Sequence, residues 1–244
     1  MNGFFERVPY GGEAEFHLFS SIYFITIFVS VFLIFVFYKS TTTIKKSRFE
    51  KIIRCMIASI MLLSSITIWA YAYNNNLPWY KYVPEATCGW AIYLGGIMLL
   101  TKNRTLFVLV FFWGWGALST IIAPAILDGP TRYNFYQFFL RHILIIVSAI
   151  YMMKVFDFKI YKKDFKIYFF VTLSMTIIGA IISLIVNKPD MLNMFYMMQQ
   201  AVNNPIMEFL IETSHLLYVV VWLSIASLIG YIYGLPFYSK EIKK

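Results

Sequence analysis

Charge is scarce in this sequence. Asp, Glu, Lys and Arg make up 14% of its 244 residues, against roughly a quarter in a soluble domain. A chain this long with so little charge cannot cover a soluble core, so a soluble globular protein is excluded. Cysteine is scarcer still. Two residues, Cys55 and Cys88, rule out a disulfide framework or a paired CxxC metal or redox module. Histidine occurs three times with no short ligand spacing such as HxxxH, so no resident metal is expected. No glycine-rich phosphate loop, haem attachment site or nucleotide motif is present, and no cofactor is expected. No lipidation motif and no internal repeat is evident, and the first apolar run is too long for a cleaved signal peptide.

Apolar and aromatic mass is what the chain has: 60% hydrophobic and 20% aromatic residues. Seven apolar segments are read, at about 17–38, 52–73, 83–101, 105–127, 134–155, 167–186 and 214–233. Each is close to the ~20 residues that carry a helix across a bilayer. Hydrocarbon offers the backbone no partner, so these segments are helices. The fold class is therefore an all-α integral membrane protein with seven transmembrane helices, forming one membrane domain over 1–244. The third segment is the shortest; it begins with a polar PEATC stretch and holds Gly89, Gly95 and Gly96. The part of the long sixth connection at about 190–204, MLNMFYMMQQAVNN and its flank, is rich in Met and aromatics and reads as interfacial.

Lys and Arg fix an orientation. Sixteen fall in the first, third and fifth connections and the C-terminal tail; four (Arg7, Lys81, Arg132, Lys188) fall on the other side. The bias places the N-terminus outside and the C-terminus in the cytoplasm of a multi-pass cell-membrane protein. It also explains the net charge of +9 without nucleic acid, because the basic residues are connection charges. Cys55 and Cys88 then lie on opposite sides and cannot pair.

Arg141 sits within the fifth segment, on the order of 10 Å below its outer end. A charge at that depth faces a bundle interior or a wet cavity. Asn134, Gln137 and Arg141 share one helix face, and His142 is turned ~100° from Arg141. Glu208, Glu212 and His215 form a second stripe; His17 and Glu85 stand at the outer starts of the first and third segments. Titratable groups thus gather in the outer half, as though lining a cavity open to the outer leaflet. Trp113 and Trp115 are read as packing or as a cavity wall. Cys88 and His142 are the residue types of nucleophile and base in acyl transfer, and Arg141 suits a phosphate or a developing negative charge. The plainer alternative has Arg141 reaching outer headgroups while His142 makes one interhelical hydrogen bond.

Three stretches carry a family likeness: VPEATCGWAIYL at the third segment, FFWGWGALSTIIAPAI at the fourth and YNFYQFFLRHILIIVSAIYM at the fifth. An N-MF-M pattern precedes the last. Over about 15–235 the chain resembles the YwaF family of bacterial multi-pass membrane proteins, which is similar to an animal transmembrane protein family proposed to be phospholipid acyltransferases. The likeness implies a seven-helix membrane protein, acyl transfer on lipids, and catalytic roles for Cys88 and His142. It departs from the family's LHLC pattern, which here reads EATC. The expected function is a lipid or lipoprotein acyltransferase or acyl hydrolase acting on membrane phospholipid. The alternatives are a small transporter, a substrate-binding membrane subunit, or a scaffold that docks another membrane protein.

Overall fold

The computed structural model describes residues 3–8, 13–74, 76, 82–84, 86–185 and 205–240. Among them the regular structure is helical, apart from one isolated parallel bridge between Ile160 and Tyr238. The helices are α1 (Ser21–Lys46), α2 (Glu50–Asn74), α3 (Thr87–Thr101), α4 (Arg104–Ile122), α5 (Tyr133–Val155), α6 (Asp164–Ile185), α7 (Pro205–Thr213) and α8 (His215–Gly234).

Among the described residues, six helices are long and apolar enough to cross a membrane. The expected third span is the exception. It forms α3, with 15 residues, about 22 Å at 1.5 Å per residue. Its predicted start stays outside the helix: Val83 and Pro84 are not helical, and Ala86, with extended backbone at φ −92° and ψ 154°, is the N-cap. The predicted last span at 214–233 corresponds to α8. Ser214 breaks the chain into α7 and α8, with extended backbone at φ −166° and ψ 118°. Its side chain accepts the Leu217 N–H, a hydroxyl N-cap that starts α8 afresh. The expected interfacial stretch at 190–204 lies outside the described residues. The basic first connection shrinks to 47–49, because Lys39, Lys45 and Lys46 extend α1 and Lys51 and Arg54 belong to α2.

α4 and α5 form the centre. About two thirds of the apolar stretch of each is buried, against 11% for α1 and α8. α4 packs on α3, α5, α6 and α8, while α5 packs on α1 to α4. Outward-facing Phe24, Phe28, Phe32 and Phe35 of α1 are exposed, as suits a helix whose outer face meets acyl chains rather than water. α2 and α3 approach closely: a Cβ on Gly96 would lie 2.7 Å from Leu62 Cγ, a spacing that glycine permits. Two turns order the central hairpins. Lys102 takes a left-handed conformation (φ 54°) after α3, and Asn103 Oδ1 caps α4 through the Leu106 N–H at 3.1 Å. α4 ends at Ile122, two residues before Pro124.

Arg54 is not a connection charge. It is buried, donates to Leu99 O at 2.6 Å and pairs with Glu50 at 2.8 Å. Glu50 in turn accepts from Tyr151 Oη at 2.8 Å. That group satisfies a carbonyl that the end of α3 leaves open.

At the other end of the bundle the N-terminal residues are strapped across the α4–α5 connection. Glu15 and Phe16 N–H groups donate to Leu127 O. Arg132, 3% exposed, makes a two-pronged pair with Glu15 at 2.5 and 2.8 Å. The Arg132 guanidinium holds the Glu15 carboxyl down at about 2, from an ordinary 4.5. A carboxylate whose folded pKa is depressed stabilises the fold above its unfolded pKa, and that contribution fades as pH falls through the folded value. The melting midpoint of the protein in detergent should therefore drop between about pH 4.5 and about pH 2. Glu15→Gln should flatten that part of the profile; the same acid slope in the variant would show that the pair contributes nothing.

Candidate functional site

A cavity of about 650 Å³ opens beneath this strap. The α2, α3, α4 and α5 helices and the α4–α5 connection all line it, together with Arg7 and Val8. From Asn134 to Ile145 it follows α5, on the order of 16 Å at 1.5 Å per residue.

Cys88 is the second residue of α3 and a free thiol. Ala86, the N-cap, offers no side chain to the first turn. The positive end of the α3 dipole therefore stands beside the sulfur. Gly116 of α4 makes room for it: a Cβ there would lie 3.1 Å from Thr87 Oγ1 and 3.6 Å from Cys88 Sγ. The Thr87 and Thr120 hydroxyls are side-chain partners of the thiol, and Arg141 is close enough to act on it electrostatically.

His142 is 8% exposed. Its Nδ1 lies 2.7 Å from Phe138 O. A carbonyl only accepts, so the hydrogen-bond pattern assigns the proton to Nδ1. Nε2 then holds the lone pair, as a base requires. Phe138 packs on the ring at 4.5 Å between centroids and fixes its plane.

The polar residues around the two are already engaged. Gln137 donates to Ser64 O at 2.7 Å and to Thr67 Oγ1, tying α5 to α2. Asn134 donates to Asp128 Oδ2 at 2.6 Å. Arg141 differs: its Nη1 is buried with no hydrogen-bond partner among the described residues.

Five residues picked out from the sequence thus line one cavity: Cys88, His142, Arg141, Gln137 and Asn134. The others do not join them. Trp113 is fully buried and donates to Thr172 Oγ1 at 3.1 Å. Trp115 donates to Tyr168 Oη at 3.3 Å, so both indoles serve the α4–α6 contact. Glu208, Glu212 and His215 are exposed. The break at Ser214 splits their stripe between two helices, and α8 packs on α4 and α6 rather than at the cavity. His17 is exposed on the strap. Glu85 lies outside the described residues.

Sequence reading missed Arg7, Asp128 and Thr120. Asp128 had a legible signal, an acidic residue four before Arg132 in an LDGPTR turn. Arg7 had none, since one basic residue near the N-terminus reads as an orientation charge.

Searches of curated proteins and of solved structures found no match. A family comparison did: the TMEM164 family model matches residues 15–233, nearly the whole helical part. The chain belongs to the TMEM164 family and is a multi-pass membrane protein, in keeping with its likeness to an animal transmembrane family.

Proposed function

We propose that this member of the TMEM164 family is a phospholipid acyltransferase or acyl hydrolase of the cell membrane. It is a single membrane domain of seven spans counting α3, with its N-terminus outside. The observation that carries the reading is that Cys88, His142 and Arg141 line one cavity reaching into the bundle.

The chemistry follows from the groups present. His142 Nε2 takes the Cys88 thiol proton as Sγ attacks the carbonyl carbon of a lipid ester. The carbonyl oxygen carries the negative charge of the tetrahedral intermediate. The positive end of α3 and the Arg141 guanidinium offset that charge. Collapse breaks the ester C–O bond; the lysolipid alkoxide leaves with the proton from His142, and the acyl group stays on Cys88 as a thioester. An acceptor hydroxyl or water then attacks, giving its proton to His142, and the released thiolate recovers a proton. Arg141 holds the phosphate of the lipid.

Incubation with a phospholipid bearing an alkyne-tagged acyl chain tests this. The tag should appear on Cys88, come off with neutral hydroxylamine, and be absent from the Cys88→Ala chain. A membrane-impermeant maleimide added outside should reach Cys88 and spare Cys55. No label on Cys88 under any donor lipid would end the acyl-transfer reading; outside access to Cys55 alone would invert the orientation.

A further inference from the structure

The strap does more than cover the cavity. Three of its residues are anchored: Tyr133 N–H donates to Phe4 O at 2.8 Å, Arg132 Nη1 to Glu6 O at 3.1 Å, and Val8 N–H to Asp128 Oδ1 at 2.8 Å. Arg7 stands between the last two anchors, and it lines the cavity. The same cavity is lined by Arg141, and the two guanidinium groups lie close enough to act on each other electrostatically. Like charges in a partly desolvated space repel, and that repulsion is relieved by an anion between them.

Among the described residues no protein group fills that role for Arg141 Nη1. Asp128 is the carboxylate among the described lining residues, and its oxygens are already taken. Oδ1 accepts from Val8 N–H and lies 3.9 Å from Arg132 Nε; Oδ2 accepts from Asn134. Gln137 faces Ser64 and Thr67. The Arg141 Nη1 donor has no partner among the described residues. An occupant that meets two guanidiniums approaching from different elements needs several acceptor oxygens directed apart. A tetrahedral phosphate ester offers them.

We infer that Arg7 and Arg141 together form a binding site for a phosphate ester at the mouth of the cavity, with Arg7 supplied by the N-terminal strap. The site rests on reading the cavity as the lipid site, and it assigns Arg7 a positioning role: it orients the ligand over Cys88 and takes no part in bond making. The phosphate could belong to a lipid headgroup or to a soluble phosphate ester, and the two give different results below.

The test measures binding to the full chain carrying Cys88→Ala, so that turnover plays no part. Oleoyl lysophosphatidic acid is compared with monooleoylglycerol, which has the same chain and no phosphate. Arg7→Gln and Arg141→Gln should each weaken lysophosphatidic acid at least about tenfold, the scale of one lost charge-assisted contact. Monooleoylglycerol should stay within about twofold under the same changes. If Arg7→Gln leaves the ratio of the two affinities unchanged, the site does not exist. Should Arg7→Gln fail to fold, the ratio is read on Arg7→Lys, which keeps the charge and loses the fork; there a fall of about threefold upholds the site and an unchanged ratio overturns it. Glycerol 3-phosphate and inorganic phosphate added as competitors distinguish the source. Displacement at millimolar concentration points to a soluble ester, and no displacement to a headgroup. Loss of binding in Arg7→Gln, in a protein whose Cys88 never acquires an acyl group, would keep this site while the chemistry falls. Acyl-Cys88 with unaltered Arg7→Gln binding would do the reverse.

Discussion

Cys88→Ala should abolish acyl transfer, and His142→Ala should lower it by roughly 10²–10⁴-fold, the range for a positioned base. The two losses should not multiply. Without the thiol there is nothing for the imidazole to deprotonate, so the double variant should be no worse than Cys88→Ala alone. Both substitutions remove atoms that face a cavity: Cys88→Ala gives up the weak thiol contact with the Thr120 hydroxyl of α4, and His142→Ala gives up its bond to Phe138 in its own helix. Their melting midpoints should stay near that of the parent chain. Rates of lysolipid release from a defined phospholipid donor, measured in nanodiscs, decide the matter. Parental rates in both single variants would rule out the proposed pair.

Trp113→Ala should produce the largest loss of stability. Trp113 is fully buried at the centre of α4 and bonded to Thr172 of α6. Truncating a large buried aromatic typically costs about 3–5 kcal/mol, because the surroundings collapse only partly into the space. It also leaves the Thr172 hydroxyl without its indole donor. Reversible unfolding in mixed micelles would measure the loss. The result also separates two roles that the sequence leaves open for this residue: a core tryptophan lowers stability with little change in ligand affinity, and a cavity wall does the opposite. A change below about 1 kcal/mol would show that the α4–α6 contact does not rest on it.

Hydropathy alone locates α1 to α6 and α8, because a chain in lipid has only the helix to satisfy its backbone; α7 falls in the stretch read as the sixth connection. Boundaries were less legible. The shortness of α3 follows from the extended backbone of its N-cap, Ala86, and nothing in apolar content marks it. The break at Ser214 is a hydroxyl cap inside an otherwise apolar run, and an assumed continuous helix there produced the stripe of Glu208, Glu212 and His215. On α5 the shared face is legible, since Asn134, Gln137 and Arg141 need only helical spacing, and all three line the cavity. It missed Arg7 and Asp128 because their placement depends on pairs such as Val8 with Asp128 and Glu15 with Arg132, more than a hundred residues apart. No periodic pattern encodes a meeting at that separation. Trp113 and Trp115 were ambiguous because aromatic content does not say which side of a helix is the inside.

The strap has a consequence for biogenesis. Its anchors, Asp128, Arg132 and Tyr133, are translated long after Phe4 and Val8. While the ribosome adds the first four helices, the N-terminal segment has nothing to hold it, and Arg7 stays in contact with water or headgroups. The roof closes only when α5 emerges, the same helix that brings His142 and Arg141. Nascent chains that end before Asp128 should therefore leave their first residues open to protease, and protection should arise in one step as the fifth helix enters the bilayer.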